Sequence, residues 1–212
     1  GVLGSHYADN VGVEILTMQS FQAQILYCRD EFGGLADLKG RKVRGSGASQ
    51  ADFVKYFGGI PVSMSFGEVQ QGLQQGVIDC AITGTLGGYS AKWHEGANFL
   101  YTLPINWGSG VTAANKSWWD GLSEQNRNML RKELSKLEEE MWALNSEENE
   151  IGINCNTSGP CPHGDPAGMT RVDPSEEDFA LRSEAMNKAV LPGFASRCGQ
   201  DCVAKFNSTI GS

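Results

Sequence analysis

The sequence predicts an α/β fold in which helices cross over between strands of one sheet. Three observations carry that expectation. Short β-like runs alternate with helical stretches through the first half, glycines mark most of the junctions, and a long apolar stripe at helical spacing follows in the second half. Strands that alternate with helices close a sheet through crossover connections.

The elements follow in order. Val13–Thr17 and Ala23–Cys28 are strand candidates; Gly33-Gly34 then breaks the chain, and Leu35–Leu38 can form a helical turn. Lys42–Arg44 reads as a short strand turned by Gly45-Ser46-Gly47. Ser49 can cap a helix running to about Phe57, which Gly58-Gly59 stops. Pro61–Met64 reads as a strand, Phe66–Gln75 as a helix ended by Gly76, Val77–Thr83 as a strand with Gly84 just after it, and Leu86–Trp93 as a helix. Phe99–Leu103 and Gly110–Ala114 read as two further strands, separated by a Pro104–Gly108 loop. A long helix then starts at Ser123 as N-cap. Leu130, Leu134, Leu137, Met141 and Leu144 recur at steps of four and three on one face, and the charged run from Lys136 to Glu150 reads as its solvated face. The chain becomes loop-like after Ile151, and Met169–Val172 is a short strand. Asp173-Pro174-Ser175-Glu176 reads as a helix start with Asp173 as N-cap. That helix should stop at Pro192-Gly193, before a last helix over roughly residues 194–207.

Composition bounds the function. The 212 residues, 40% hydrophobic and 20% charged, suit one large domain or two small lobes. A net charge of −8 repels phosphate backbones and anionic lipid, so no nucleic-acid or membrane-surface partner is expected. No apolar run has the length of a membrane span. The chain opens Gly1-Val2-Leu3-Gly4 without the basic start and apolar core of an export signal, and so reads as a mature or truncated form. An even count of six cysteines favours disulfides: Cys155 and Cys161 flank a turn-rich segment, and Cys198 and Cys202 sit four apart. Buried free thiols are the alternative. A metal site is disfavoured because there is no Cys-x-x-Cys and only His163 lies near a cysteine.

Few residues suggest chemistry. Gly45-Ser46-Gly47 is a weak dinucleotide match, since Gln50 stands where the third glycine should be. Arg44 says more. It ends a strand beside a glycine turn and a helix start, where ligands of open α/β sheets gather and where a guanidinium can take a carboxylate through two parallel hydrogen bonds. An ion pair of Arg44 with Glu68 or Asp79 is the bland alternative. There is no G-x-S-x-G; His6, His94 and His163 are scattered; and the acidic runs lie on a helix face. No catalytic residues, no cofactor and no enzymatic activity are expected.

The stretch Leu35-Ala36-Asp37-Leu38-Lys39-Gly40-Arg41-Lys42-Val43-Arg44 resembles the solute-binding proteins of tripartite ATP-independent periplasmic (TRAP) transporters. The likeness continues through residues 59–69, through residues 73–80, through Asn115-Lys116-Ser117-Trp118-Trp119-Asp120-Gly121-Leu122 with the long helix after it, and at Arg197-Cys198-Gly199. These blocks keep the family order over nearly the whole chain. The resemblance implies a two-lobed periplasmic binding protein of the Venus-flytrap kind, with the long helix bracing both lobes. It also implies a periplasmic location, a small organic acid as ligand and delivery to the TRAP membrane permease subunits. Arg44 matches the family arginine that pairs with the ligand carboxylate, and Phe66 an aromatic residue that packs on the ligand. Thr83 and Gln24 match polar ligand contacts, and Trp107 a further pocket residue. Gln24 stands where many members have arginine, and a single cation suits a monocarboxylate or a keto or hydroxy acid. On this view residues 1–22 cross over from the first lobe, 23–105 form the carboxylate-binding lobe, 106–150 supply the return strand and inter-lobe helix, and 151–212 form a helical region with cysteine pairs. The family usually begins with a further stretch of roughly half this length. The rival readings are a ligand-sensing periplasmic domain and an incomplete fragment of a binding protein.

Overall fold

A computed structural model describes residues 2–209. Its strands are β1 (Val13–Cys28), β2 (Lys42–Gly45), β3 (Ile60–Ser63), β4 (Cys80–Gly84), β5 (Phe99–Asn115) and β6 (Thr170–Val172). They form one sheet in the order β3-β2-β4-β1-β5-β6. β2 runs parallel to β3 and β4, and β6 parallel to β5, while β1 is antiparallel to both neighbours. The helices are α1 (Val2–Asn10), α2 (Ala48–Tyr56), α3 (Val69–Gln74), α4 (Thr85–Ser90), α5 (Lys116–Asp120), α6 (Glu124–Asn156), α7 (Glu176–Ala185), α8 (Leu191–Cys198) and α9 (Gln200–Thr209).

The end of β1 is apolar without a break because both faces of the sheet are covered there, and consecutive side chains enter different cores. Leu26 and Cys28 join Val43, Phe53, Ile82 and Tyr101 on the α2 face. Ile25 and Tyr27 join Leu73, Ala81, Trp93 and Leu100 on the α3 face. Cys28 and Cys80 are cross-strand partners and form a disulfide; Cys155–Cys161 and Cys198–Cys202 are the other two.

The sequence reading divides what the structure joins. The two expected strands before Cys28 are one strand, and the expected Pro104–Gly108 loop lies inside β5. β1 and β5 pair from Val13↔Asn115 to Cys28↔Phe99, and three register shifts absorb the irregular residues. Gly108 and Gly110 admit an aromatic ring rather than break the strand: a Cβ at either would lie 3.2 or 3.0 Å from Phe21 atoms. Helix α6 continues past Ile151 because Gly152 lets it touch α4, where a Cβ would fall 2.3 Å from the Leu86 nitrogen. Its inward face is also more polar than the stripe suggests. Leu137 and Leu144 are exposed, while Glu138 and Glu148, expected in solvent, bond to β1. Ser175, not Asp173, caps α7: its hydroxyl accepts from the Asp178 N–H, and the Asp178 carboxylate accepts from Ser175. Asp173 instead accepts from Thr102 and Arg171. Pro192 does not end the helical run. A π turn over Met186–Val190 leads into α8, where Pro192 sits in the first turn and needs no N–H partner.

Candidate functional site

β2, β3 and β4 point the same way, so their carboxyl ends form one rim of the sheet. Arg44 lies on that rim. In register it stands beside Val62 of β3 and Ala81 of β4, which turns its side chain toward the α3 face. Only 6% of the residue is exposed. Its Nε donates to the Met64 carbonyl and its Nη1 to the Ile82 carbonyl, each at 3.1 Å. The guanidinium carbon sits 5.7 Å from the centroid of the Trp93 ring. Desolvation pushes its pKa down from the ordinary value, yet arginine stays charged in proteins.

This cation has no carboxylate partner among the described residues. The two candidates from the sequence are engaged elsewhere: Glu68 accepts from Ser65, and Asp79 accepts from the Lys42 N–H. Among the described residues, two of the five guanidinium N–H groups bond to carbonyls, which leaves three, two of them on Nη2. A buried charge is ordinarily paired, because taking it out of water unpaired costs several kcal/mol, on the order of the penalty a bound anion offsets.

The other residues picked out in the sequence fall on neighbouring strands. Phe66, 43% exposed, opens a 3-10 turn, and its ring lies 5.2 Å from that of Trp93. Arg44 and Phe66 are therefore brought together through Trp93. Thr83 pairs with Ile25, which places it on Arg44's face of the sheet, two residues beyond Ala81. Gln24 pairs with Gly84 and Asn106 and so faces the other way; its amide donates to the Gln22 carbonyl. Trp107, 56% exposed, stands opposite Ala23 on β5. Arg44, Thr83, Gln24 and Trp107 thus occupy four successive strands, β2, β4, β1 and β5. The sequence reading missed Trp93, which lies at the end of an expected helix with no periodicity to single it out. It also missed the two carbonyls, which no side-chain pattern can reveal.

A cavity of about 320 Å³ lies where β1 starts and α6 begins, lined by Glu14, Lys116, Asp120, Glu124, Arg127 and Arg131 with Trp119. Its acids and bases are equal in number, and Lys116–Asp120 and Arg131–Glu14 already pair. No net charge there awaits a ligand, so the Arg44 rim is the better candidate. Among the described residues no group of three His, Cys, Asp or Glu side chains could hold a metal ion. No helix among them is long and apolar enough to cross a membrane.

Comparison with known proteins agrees with this architecture. The model of the family described as bacterial extracellular solute-binding protein, family 7 (DctP) matches residues 3–190. The C4-dicarboxylate-binding periplasmic protein DctP of Rhodobacter capsulatus is 27% identical over 204 residues, which cover 96% of this chain and 56% of that protein. The ectoine-binding periplasmic protein TeaA of Halomonas elongata is 26% identical over 126 residues, 59% of this chain and 37% of that protein. Among solved structures, the Bordetella pertussis receptor DctP6, which binds pyroglutamic acid, superposes with a TM-score of 0.82 at 21% identity over 98% of this chain and 65% of its own. A TRAP periplasmic solute-binding protein from Desulfovibrio salexigens with bound orotic acid gives a TM-score of 0.86 at 16% identity, again over 98% of this chain and 65% of its own. These two likenesses establish the fold. The chain spans about half to two thirds of the length of the relatives it matches.

Proposed function

The chain belongs to the family 7 bacterial extracellular solute-binding proteins, and on that premise we propose that it captures a small organic acid in the periplasm and delivers it to the membrane permease of a TRAP transporter. One observation carries the reading. Arg44 is buried, charged and without a counter-ion among the described residues, and it presents free N–H groups at the carboxyl ends of parallel strands. A ligand carboxylate completes that site through charge-assisted hydrogen bonds. Phe66 and Trp107 cover the apolar body of the ligand, while Thr83 and Gln24 read its hydroxyl or keto groups. Closure of two lobes then sequesters it, a hinge motion used by periplasmic binding proteins. The ligands named for relatives fit this class: a C4-dicarboxylate for DctP, pyroglutamic acid for DctP6 and orotic acid for the Desulfovibrio protein. With Gln24 an amide, Arg44 is the site's one cation among these five residues, which favours a monocarboxylate or a keto or hydroxy acid over a dicarboxylate.

A thermal-shift screen against small mono- and dicarboxylates tests this directly. A ligand at 100 times its dissociation constant stabilises by about 2.7 kcal/mol, a clear rise in midpoint. Arg44→Ala should abolish the rise, because removing one partner of a buried charged pair costs about 2–5 kcal/mol. Near-normal affinity in that variant would remove the central claim. A dicarboxylate that binds more tightly than every monocarboxylate would overturn the finer one.

A further inference from the structure

We infer that Trp93 is the positioning residue that holds the Arg44 guanidinium ready for its ligand, an inference that rests on the carboxylate site proposed above. The indole ring lies under the guanidinium at 5.7 Å and is fully buried. It is fixed from two further sides, by Phe66 at 5.2 Å and by an edge contact with Tyr27 at 5.5 Å. Its own N–H is buried and has no hydrogen-bond partner among the described residues, so ring packing and the cation set its orientation. An apolar side chain would fill the same core without leaving a buried donor unpaired. What an aliphatic residue cannot supply is a negative π face, and tryptophan supplies the best one. The backbone supports the same reading. Lys92, just before Trp93, is the one non-glycine residue with positive φ among those described, at 57°, a conformation L-residues adopt at a cost. It lets the chain turn out of α4 and straight into the 3-10 turn that carries Trp93. Trp93 and the carbonyls of Met64 and Ile82 therefore hold three sides of the cation, and the ligand takes the N–H groups that remain.

The test compares Trp93→Phe and Trp93→Leu with Leu100→Ala, a truncation in the same core at a residue that makes none of the Arg44 contacts described above. The first readout needs no ligand: the Arg44 Nε–H resonance. It should be sharp and ring-shifted in the wild type, largely kept in Trp93→Phe and Leu100→Ala, and lost in Trp93→Leu. The second is affinity for pyroglutamate, malonate and the amide of pyroglutamate. Trp93→Leu should weaken carboxylate binding about tenfold and leave the amide unchanged, with Trp93→Phe in between. Equal losses in Trp93→Leu and Leu100→Ala, or an unchanged Arg44 resonance in Trp93→Leu, would overturn the inference. Should Trp93→Leu not fold, Trp93→Phe decides alone: wild-type carboxylate affinity in that variant sinks it. A resonance that responds as expected in a protein that binds no carboxylate would uphold the role of Trp93 and overturn the functional reading instead.

Discussion

The sheet has two unlike regions. Around β2, β3, β4 and the inner ends of β1 and β5, apolar side chains fill both faces and leave Leu26, Val43, Phe53, Ile82 and Leu100 out of contact with water. Farther out, where residues 13–20 of β1 pair with 109–115 of β5, the ribbon is held to α6 largely by polar contacts. The Met18 N–H donates to Glu138, Trp142 donates to the Met18 carbonyl, Asn145 donates to Ser20, and Arg131 pairs with Glu14. Around that ribbon Val111, Met129, Leu137, Trp142 and Leu144 are exposed. Apolar burial contributes roughly 25 cal/mol per Å², whereas a typical hydrogen bond adds only about 0.5–1.5 kcal/mol net. The inner region is expected to carry the stability of the fold and the ribbon to open first. The Arg44 rim, the candidate site, belongs to the inner region.

The sharpest way to break this contrast is a pair of truncations. Phe53→Ala, in the fully buried inner core, should lower the unfolding free energy by about 3–5 kcal/mol. Leu144→Ala, on the exposed side of α6, should change it by no more than about 0.5 kcal/mol. Denaturant midpoints measure both, and equal losses would mean that the outer helix is as tightly packed as the sheet.

The disulfides sharpen the same point by their spans. Cys28–Cys80 closes 52 residues inside the inner region, and Cys198–Cys202 only four at the α8–α9 junction. Loop-closure entropy predicts a loss of about 4 kcal/mol on removing the first and about 2 kcal/mol on removing the second. Calorimetry of Cys28→Ala/Cys80→Ala and Cys198→Ala/Cys202→Ala reads the difference. The reverse order would show that the C-terminal helices stabilise the chain more than the sheet does.

Asn156 sits where the regions meet. Its amide reaches the Tyr27 hydroxyl, the Thr85 carbonyl and the Gly152 carbonyl, tying the end of α6 to β1 and α4. Burial drives the Tyr27 hydroxyl pKa far above its ordinary value, with the Asn156 hydrogen bond opposing, so Tyr27 stays neutral. Asn156→Ala should cost about 1–3 kcal/mol. It should also speed amide exchange in β1 residues 23–28, which a loss confined to the helix end would leave slow.

Much of this was legible in the chain. The α/β alternation, the Ser123 cap, the strand before Arg44 and the family blocks can all be read from local patterns, because caps, glycine turns and buried central strands leave local signatures. What was not legible depends on residues far apart in sequence. Gly108 reads as part of a loop until Phe21 is seen across the ribbon, and Gly152 reads as lying past the helix end until α4 is seen against it. Glu138 and Glu148 read as solvated until β1 supplies their partners. At the candidate site, Arg44 stands out in the sequence because a strand end, a glycine turn and a family motif converge on it. Trp93 does not, because only the folded chain shows which ring faces which cation.

The smallest effect probes what holds the ribbon. Glu14 and Arg131 join β1 to α6 at 2.8 Å, with the arginine side chain about half exposed and its guanidinium over Trp119. Glu14→Gln removes the charge and keeps the shape, so it isolates the ion pair from the packing of Arg131 on that ring. An exposed pair contributes about 0.2–1 kcal/mol. At about 1 M salt the screening length falls to roughly 3 Å, and the difference between variant and wild type should vanish. A loss above about 2 kcal/mol that persists in high salt would require a desolvated pair, and the ribbon would then be held as firmly as the inner sheet. A small, salt-sensitive loss keeps the two regions distinct, with the rigid one carrying Arg44 and the looser one free to move against it.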